Sequence, residues 1–144
     1  KILAQGSGSG AQTANLACIV SKNRIQKSKG KNQSEGKVIA IERIPELKKI
    51  TETNVSKYNF IKKGIVKVIL GDGAQGCPSE APFDKIIAAA AGEELPSAWK
   101  EELKIGGKIV APIQQSIFAF DKISDSEFEK KEYFGFSFVP LVRE

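Results

Sequence analysis

KILAQGSGSG, residues 1–10, decides the fold that we expect of this 144-residue chain. The apolar run Ile2–Ala4 predicts a buried strand, and Gly6, Gly8 and Gly10 follow it within a few residues. A helical pattern comes next, with a packed face drawn from Ala11, Ala14, Leu16, Ala17 and Val20. A strand that enters a helix through a tight glycine turn is typical of the first unit of a doubly wound α/β fold, and it offers free N–H groups to a ligand.

The rest of the chain alternates short apolar runs with helical patterns, which favours βαβ units and a mostly parallel sheet. The further predicted strands are Lys37–Glu42, Ile65–Leu70, Phe83–Ala89, Lys108–Ile113, Ile117–Asp121 and Tyr133–Val139. We therefore expect one α/β domain over residues 1–144, a doubly wound, mostly parallel Rossmann-like sheet that ends in an antiparallel C-terminal hairpin. The alanine run at the end of the fourth strand favours a central position for it.

Two prolines mark the starts of helices, where the missing N–H costs nothing. The helix that begins at Pro45 has an inner face predicted from Leu47, Ile50 and Tyr58. The shorter helix that begins at Pro96 is predicted to contain Trp99 and Leu103 and to stop at Gly106-Gly107.

The charge of the chain is concentrated in one segment. The net charge is +5, and the window from Lys22 to Lys37 alone carries six basic residues and one acid, so the remaining residues balance. This composition predicts a solvated basic loop insertion over residues 21–36, with a nucleic-acid contact as the alternative. No apolar run approaches the ~18 residues that span a bilayer. We expect a cytoplasmic protein with no membrane partner.

Acidic residues follow the second and third strands at the edge where such folds bind ligands. Glu42 ends the second strand beside the glycine turn, and it could accept hydrogen bonds from both hydroxyls of a ribose. Asp72, in Gly71-Asp72-Gly73, could accept one from the exocyclic amine of an adenine, with Gly73 leaving room for the ring. A surface acid at Glu42 and an ordinary Asp-Gly turn are the structural alternatives. The three strand ends together predict an adenosine ligand.

Five segments resemble the protein-L-isoaspartate O-methyltransferases, a family of class I S-adenosylmethionine-dependent methyltransferases, and together they cover nearly the whole chain outside the basic loop. The matching segments are Gly36–Leu47, Val68–Gly73, Glu80–Ile87, Leu103–Pro112 and Phe138–Leu141. The resemblance implies the class I methyltransferase fold and repair of isoaspartyl residues in damaged proteins. The methyl group of S-adenosylmethionine would pass to the α-carboxyl of the isoaspartyl residue.

The resemblance also implies a set of cofactor-binding residues. Gly6, Ser7 and Gly8 would lie against the methionine part of S-adenosylmethionine, Glu42 at the ribose, and Asp72-Gly73 at the adenine. The predicted cofactor-binding residues are Gly6, Ser7, Gly8, Gly10, Glu42, Arg43, Asp72 and Gly73. We assign no metal site, since the chain has no histidine and the transfer requires neither a base nor a metal. We assign no catalytic residue, because the family's N-terminal motif that lines the substrate site has no counterpart among these residues.

The chain departs from the family pattern in several places. Ala4 and Gln5 stand where the family usually has an acid and an aliphatic residue, Ala11 replaces an aromatic residue, and Ser137 replaces an arginine. The N-terminal segment that lines the substrate site in the family does not precede Lys1, so we expect a truncated chain.

Three alternative functions stay open at this point. The first is a methyltransferase of the same fold with another substrate. The second is an NAD(P)-dependent reductase, because Gly6-x-Gly8-x-x-Ala11 satisfies a relaxed dinucleotide fingerprint. The third is a degenerate domain that binds adenosine compounds or only a protein partner. For the methyltransferase we expect a monomer whose partners are isoaspartyl-containing proteins or peptides.

Overall fold

The computed structural model describes residues 1–26 and 36–141, in which strands and helices alternate along most of the chain. The strands are β1 Ile2–Gln5, β2 Val38–Glu42, β3 Val66–Leu70, β4 Phe83–Ala88, β5 Leu103–Ile113, β6 Ser116–Lys122 and β7 Phe128–Phe134. The helices are α1 Ala11–Gln26, α2 Pro45–Ser56 and α3 Ser97–Glu102, with a short 3₁₀ turn at Gly73–Gln75.

The strands form one sheet in the order β3-β2-β1-β4-β5-β6-β7. β1 to β5 are parallel neighbours, and β6 and β7 add antiparallel pairs at one edge. The predicted fold class is confirmed, and β4 lies at the centre of the sheet. The strand order reverses between β1 and β4, so the crevice at their carboxyl ends is the place where open α/β sheets bind ligands.

Each face of the sheet packs a separate apolar core. β2 is buried along its whole length because it serves both cores. One core, around Val38 and Val55, lies under α1 and α2, and the other, around Ile41 and Trp99, lies under α3. Leu3 and Ala4 of β1 point to opposite cores, as the period of a strand requires.

The inner face of α2 differs from the prediction. Pro45 does open the helix, but Thr51 and Val55 are its buried residues. Ile50 and Tyr58, predicted to be buried, are exposed, and Tyr58 lies beyond the helix end. A threonine can be buried here because its hydroxyl finds hydrogen-bond partners in the glycine turn. In α1 the prediction was likewise wrong for Ala11, which is exposed.

The start of β5 was predicted wrongly. Leu103 leaves the helix and pairs with Phe83 as the first residue of β5. The next pair in the ladder is Lys85 with Lys108, so four residues of β5 bulge out between them. Gly106 has a φ of +77°, and a Cβ on Gly107 would lie 2.8 Å from the Leu103 side chain. The two glycines therefore make a bulge within the strand and do not stop a helix.

β7 also lies earlier in the chain than the predicted strand Tyr133–Val139. The hairpin with β6 sets its register, from Lys122 opposite Phe128 to Ser116 opposite Phe134. Hydrophobic periodicity could not locate β7, because it is an exposed edge strand with charged residues and no buried face.

The predicted basic insertion begins later than residue 21, because α1 continues to Gln26. Residues 27–35 lie outside the described part of the chain. Over residues 1–26 and 36–141, none of the helices has both the length and the apolar character that a membrane crossing needs.

A buried carboxyl group at the end of α3 carries a pH-dependent cost. Glu102 is 7% exposed, and its Oε2 accepts a hydrogen bond from the Cys77 N–H at 2.8 Å. Burial raises the pKa of Glu102, the neighbouring Glu101 charge adds to the rise, and the Cys77 N–H opposes it. The folded protein thus holds this proton more tightly than the unfolded chain. Its contribution to stability is fully present below the unfolded pKa and is lost as the pH rises through the folded pKa.

We predict that Glu102→Gln raises the thermal midpoint at pH 7, because the amide oxygen can still accept from Cys77 without the cost of a buried charge. The two proteins should converge near pH 4, about where a carboxyl in the unfolded chain titrates. Thermal melts at both pH values measure this, with Glu129→Gln in the exposed strand β7 as the matched control. A variant less stable than wild type at pH 7 and at pH 4 alike would contradict it.

Candidate functional site

A cavity of about 350 Å³ opens at the carboxyl ends of β1 to β4. This volume lies within the range of small-molecule sites. Six of the predicted cofactor-binding residues line it: Gly6, Gly8, Glu42, Arg43, Asp72 and Gly73. The structure therefore brings the three predicted strand ends together around one cavity. Ser7 and Gly10 are the two predicted residues that do not line it.

The glycine turn after β1 is held against β2. The N–H groups of Gly6 and Ser7 both donate to the carbonyl of Ile41, at 3.0 and 3.3 Å. Gly8 has a φ of +54° and Gly10 one of +85°, a left-handed backbone conformation that favours glycine. A Cβ on Gly10 would lie 3.1 Å from the backbone of Thr51, so this position also needs a small residue.

Glu42 fixes the turn from the other side. Its side chain is 5% exposed, Oε2 accepts from the Gly8 N–H at 2.9 Å, and Oε1 accepts from the Ile44 N–H at 3.1 Å. A carboxylate has about four lone-pair positions, so each oxygen can still accept one more hydrogen bond from a ligand. Glu42 is thus both part of the turn and a wall of the cavity.

Thr51 of α2 is a site residue that sequence reasoning missed. Its Oγ1 donates to the carbonyl of Gly8 at 2.9 Å and lies 2.9 Å from the Ser7 Oγ. Ser7 and Gly10 therefore support the turn from behind, since both contact Thr51. The available signal was a polar residue on the otherwise apolar inner face of α2. Hydrophobic periodicity alone treats such a residue as a weakness in the apolar face and not as a site residue.

Asp72 has one satisfied and one unsatisfied carboxylate oxygen. Oδ1 accepts from the Ala74 N–H at 2.9 Å and caps the 3₁₀ turn. Oδ2 is buried and, among the described residues, has no hydrogen-bond partner. The Trp99 Nε1–H donates to the Gly73 carbonyl at 2.8 Å and holds the turn at this depth. Asp72 lines the cavity, and this oxygen is its unpaired acceptor.

A strap from the C-terminal part of the chain covers the same cavity. Val139, Pro140 and Leu141 line it, and they are tied to the loop after β4. The Ala91 N–H donates to the Val139 carbonyl at 2.7 Å, and the Leu141 N–H donates to the Ala91 carbonyl at 2.6 Å. These two bonds hold an apolar cover over a cavity that has carboxylates on its other walls.

A family model for protein-L-isoaspartate(D-aspartate) O-methyltransferases matches residues 1–144. The chain belongs to this family. The resemblance stated from the sequence is therefore confirmed. The protein-L-isoaspartate O-methyltransferase of Methanopyrus kandleri is 36% identical over 148 residues, which cover 100% of this chain and 59% of that protein. That of Methanococcus aeolicus is 39% identical over 145 residues, which cover 99% of this chain and 60% of that protein. The chain thus spans about three fifths of the length of these relatives.

Solved structures agree with the fold of this isoaspartate methyltransferase family. One from Plasmodium falciparum, described as a protein-L-isoaspartate O-methyltransferase in complex with S-adenosyl-L-homocysteine, superposes with a TM-score of 0.80 at 24% identity and covers 99% of this chain and 66% of that one. Another protein-L-isoaspartate O-methyltransferase gives 0.75 at 25% identity, over 96% of this chain and 41% of that one. The sheet with its antiparallel edge is therefore the fold of these enzymes.

We predict that Thr51→Val destabilises the protein by about 1–3 kcal/mol, because the Gly8 carbonyl loses a buried donor. Thr53→Val is the matched control on the same helix, since its hydroxyl is exposed and bonds the Lys49 carbonyl one turn back. Urea denaturation measures both variants. Equal losses for the two would show that the link from α2 to the glycine turn adds nothing to stability.

Proposed function

We propose that this chain transfers the methyl group of S-adenosylmethionine to the α-carboxyl of L-isoaspartyl residues in damaged proteins. Family membership supports the reaction. The unsatisfied Oδ2 of Asp72, a residue of the cavity lining, is the observation that most favours the cofactor. A buried acceptor without a partner is costly, and the exocyclic amine of an adenine would satisfy it. Glu42, with lone pairs to spare, suits the two hydroxyls of a ribose.

The residues present fit the whole cofactor. Asp72 and Gly73 would hold the adenine, Glu42 and Arg43 the ribose, and the Gly6–Gly8 turn the amino-acid part. Ser7 and Gly10 would act as positioning residues, since their contacts are with Thr51 and not with the cavity. When bound, the cofactor supplies a methyl group activated by a positively charged sulfonium.

The chain's own contribution is positioning and the exclusion of water. An isoaspartyl carboxylate is already ionised at neutral pH and is a nucleophile without a general base. The rigid glycine turn and Glu42 would fix the methyl group in line with that carboxylate. Holding the reactants in this orientation lowers the activation barrier substantially. The strap at Val139–Leu141 would keep solvent away from the reacting centre.

Competing functions receive less support. The family match removes the basis for an NAD(P)-dependent reductase, whose only sequence signal was the relaxed glycine fingerprint. A methyltransferase with another substrate would bind the cofactor but leave isoaspartyl peptides unmethylated. A domain that binds without turnover would bind the cofactor and transfer no methyl group. Isoaspartyl-containing proteins or peptides as partners, a monomeric state, a cytoplasmic location and the lack of a nucleic-acid partner go with the proposal. Family membership supports the isoaspartyl-containing partners.

The test is methyl transfer from isotopically labelled S-adenosylmethionine to two peptides that differ only in one aspartyl linkage. We predict label on the isoaspartyl peptide and none on the normal aspartyl peptide. Base should release this label as methanol, because it is held as a methyl ester. Label on neither peptide, or equal label on both, would contradict the proposed substrate.

In the same assay, Asp72→Ala should raise the KM for S-adenosylmethionine by about tenfold or more, because it removes an acceptor buried in the cofactor site. The exposed Asp125→Ala is the matched control and should leave the KM unchanged. An unchanged KM for Asp72→Ala would place the adenine elsewhere.

A further inference from the structure

Glu102 is a buried carboxyl group that lies against the segment after β3. Its Oε2 accepts a hydrogen bond from the Cys77 N–H at 2.8 Å, and 7% of the residue is exposed. Gly76 has a φ of +70°, and a Cβ there would collide with the Glu102 Oε1. The carboxyl group therefore packs directly against the backbone of Gly76 and Cys77. A neutral amide would accept from the Cys77 N–H without the cost of a buried charge, so stability alone does not explain a carboxyl group here.

The segment that Glu102 holds begins at the cofactor cavity. Asp72 and Gly73 line the cavity, and Cys77 follows Gly73 by four residues. Backbone hydrogen bonds of 3.1 and 3.2 Å close the 3₁₀ turn that lies between them. Because this turn is short and internally bonded, a shift at Cys77 displaces the two residues that are proposed to hold the adenine.

Two side chains of α3 hold this segment, one near each end. The Trp99 Nε1–H donates to the Gly73 carbonyl at 2.8 Å, and Glu102 accepts from Cys77. Trp99 and Cys77 also belong to one apolar core, so α3 and the segment pack together. The indole N–H of Trp99 is only a donor and does not titrate, whereas the carboxyl group of Glu102 does. One of the two anchors therefore depends on pH.

We propose that Glu102 is a positioning residue for the adenine end of the cofactor and acts through residues 72–77. The inference rests on the proposed S-adenosylmethionine site, and Glu102 itself does not line the cavity. While it carries its proton, the side chain is neutral and stays buried against the Cys77 N–H. Once ionised, it gains hydration when the segment moves away from α3, and this movement withdraws Asp72 and Gly73 from the adenine.

The proton on Glu102 gives this link a direction with pH. Burial raises the pKa of the Glu102 carboxyl in the folded protein. A bound cofactor holds the segment against α3 and keeps the carboxyl group buried, so binding raises this pKa further. By linkage, the affinity for the cofactor is highest while Glu102 is protonated and falls as the pH rises through these pKa values.

Other ionisable groups also lie near this end of α3. They are the carboxyl of Glu101, the thiol of Cys77 and the ammonium of Lys122 in β6, whose Nζ donates to the Leu103 carbonyl at 2.9 Å. All three remain in Glu102→Gln. A difference in pH profile between this variant and wild type therefore isolates the proton on Glu102.

Calorimetric titration of wild type and Glu102→Gln with 5′-methylthioadenosine tests this from about pH 5 to about pH 8, above the ordinary pKa of a carboxyl group. Wild type should bind this ligand several-fold more weakly at the upper end of the range. The loss should disappear in Glu102→Gln, whose amide stays neutral and still accepts from Cys77. A pH profile that is the same in both proteins would overturn the inference, and this comparison does not require Glu102→Leu to fold.

Glu102→Leu removes the acceptor and should bind both S-adenosylhomocysteine and 5′-methylthioadenosine about tenfold more weakly, because the Cys77 N–H loses its partner. The second ligand lacks the amino-acid part, so an equal loss places the effect at the nucleoside end. Wild-type affinities in this variant, or a loss for S-adenosylhomocysteine alone, would overturn the inference.

Ser116→Ala is the matched control, because Ser116 is buried, bonds the Glu132 carboxylate at 2.7 Å and does not line the cofactor cavity. Its ligand affinities should equal those of wild type. Weaker binding here would mean that any lost hydrogen bond weakens the site, and it would overturn a specific role for Glu102. These contrary results leave the proposed function standing. Wild-type protein that binds neither ligand would refute the proposed function itself, and the Glu102 inference with it.

Discussion

The carboxylate of Glu42 joins the two segments on which the site depends. By accepting from the N–H groups of Gly8 and Ile44, it fixes the glycine turn after β1 against the start of α2. A buried carboxylate is tolerated where donors satisfy it. Here the donors are backbone N–H groups, which any residue other than proline retains. The shape of the cavity follows from this link, since the turn forms one wall and Glu42 another.

The other walls of the cavity are also held by hydrogen bonds to the backbone, but from different donor groups. Thr51 supports the turn from α2, Trp99 holds the Gly73 carbonyl from α3, and Ala91 ties down the C-terminal strap. Each contact comes from a different element, yet all converge where the strand order reverses between β1 and β4. A parallel sheet brings its carboxyl ends to one edge, so residues distant in sequence become neighbours without long loops.

The sequence predicts the part of the site that depends on strand ends, because apolar runs locate buried strands and the residue after each run lies at the binding edge. Glu42 and Asp72 were found in this way. Thr51 was not, because its burial depends on hydrogen bonds across to the glycine turn, which no local pattern encodes. The bulge at Gly106-Gly107 was not predicted either, because a glycine pair is compatible both with the end of a helix and with a bulge in a strand. β7 was displaced because an exposed edge strand has no hydrophobic alternation.

The most direct test of the account is an amide-resolved NMR titration of the protein with S-adenosylhomocysteine, which reports on each glycine separately. The account predicts that the amide signals of Gly6, Gly8 and Gly73 shift as the ligand fills the cavity. The signals of Gly64 and Gly106, which lie outside the cavity lining, should stay in place. Shifts confined to glycines away from the carboxyl edge of the sheet, or no shifts at all, would contradict it.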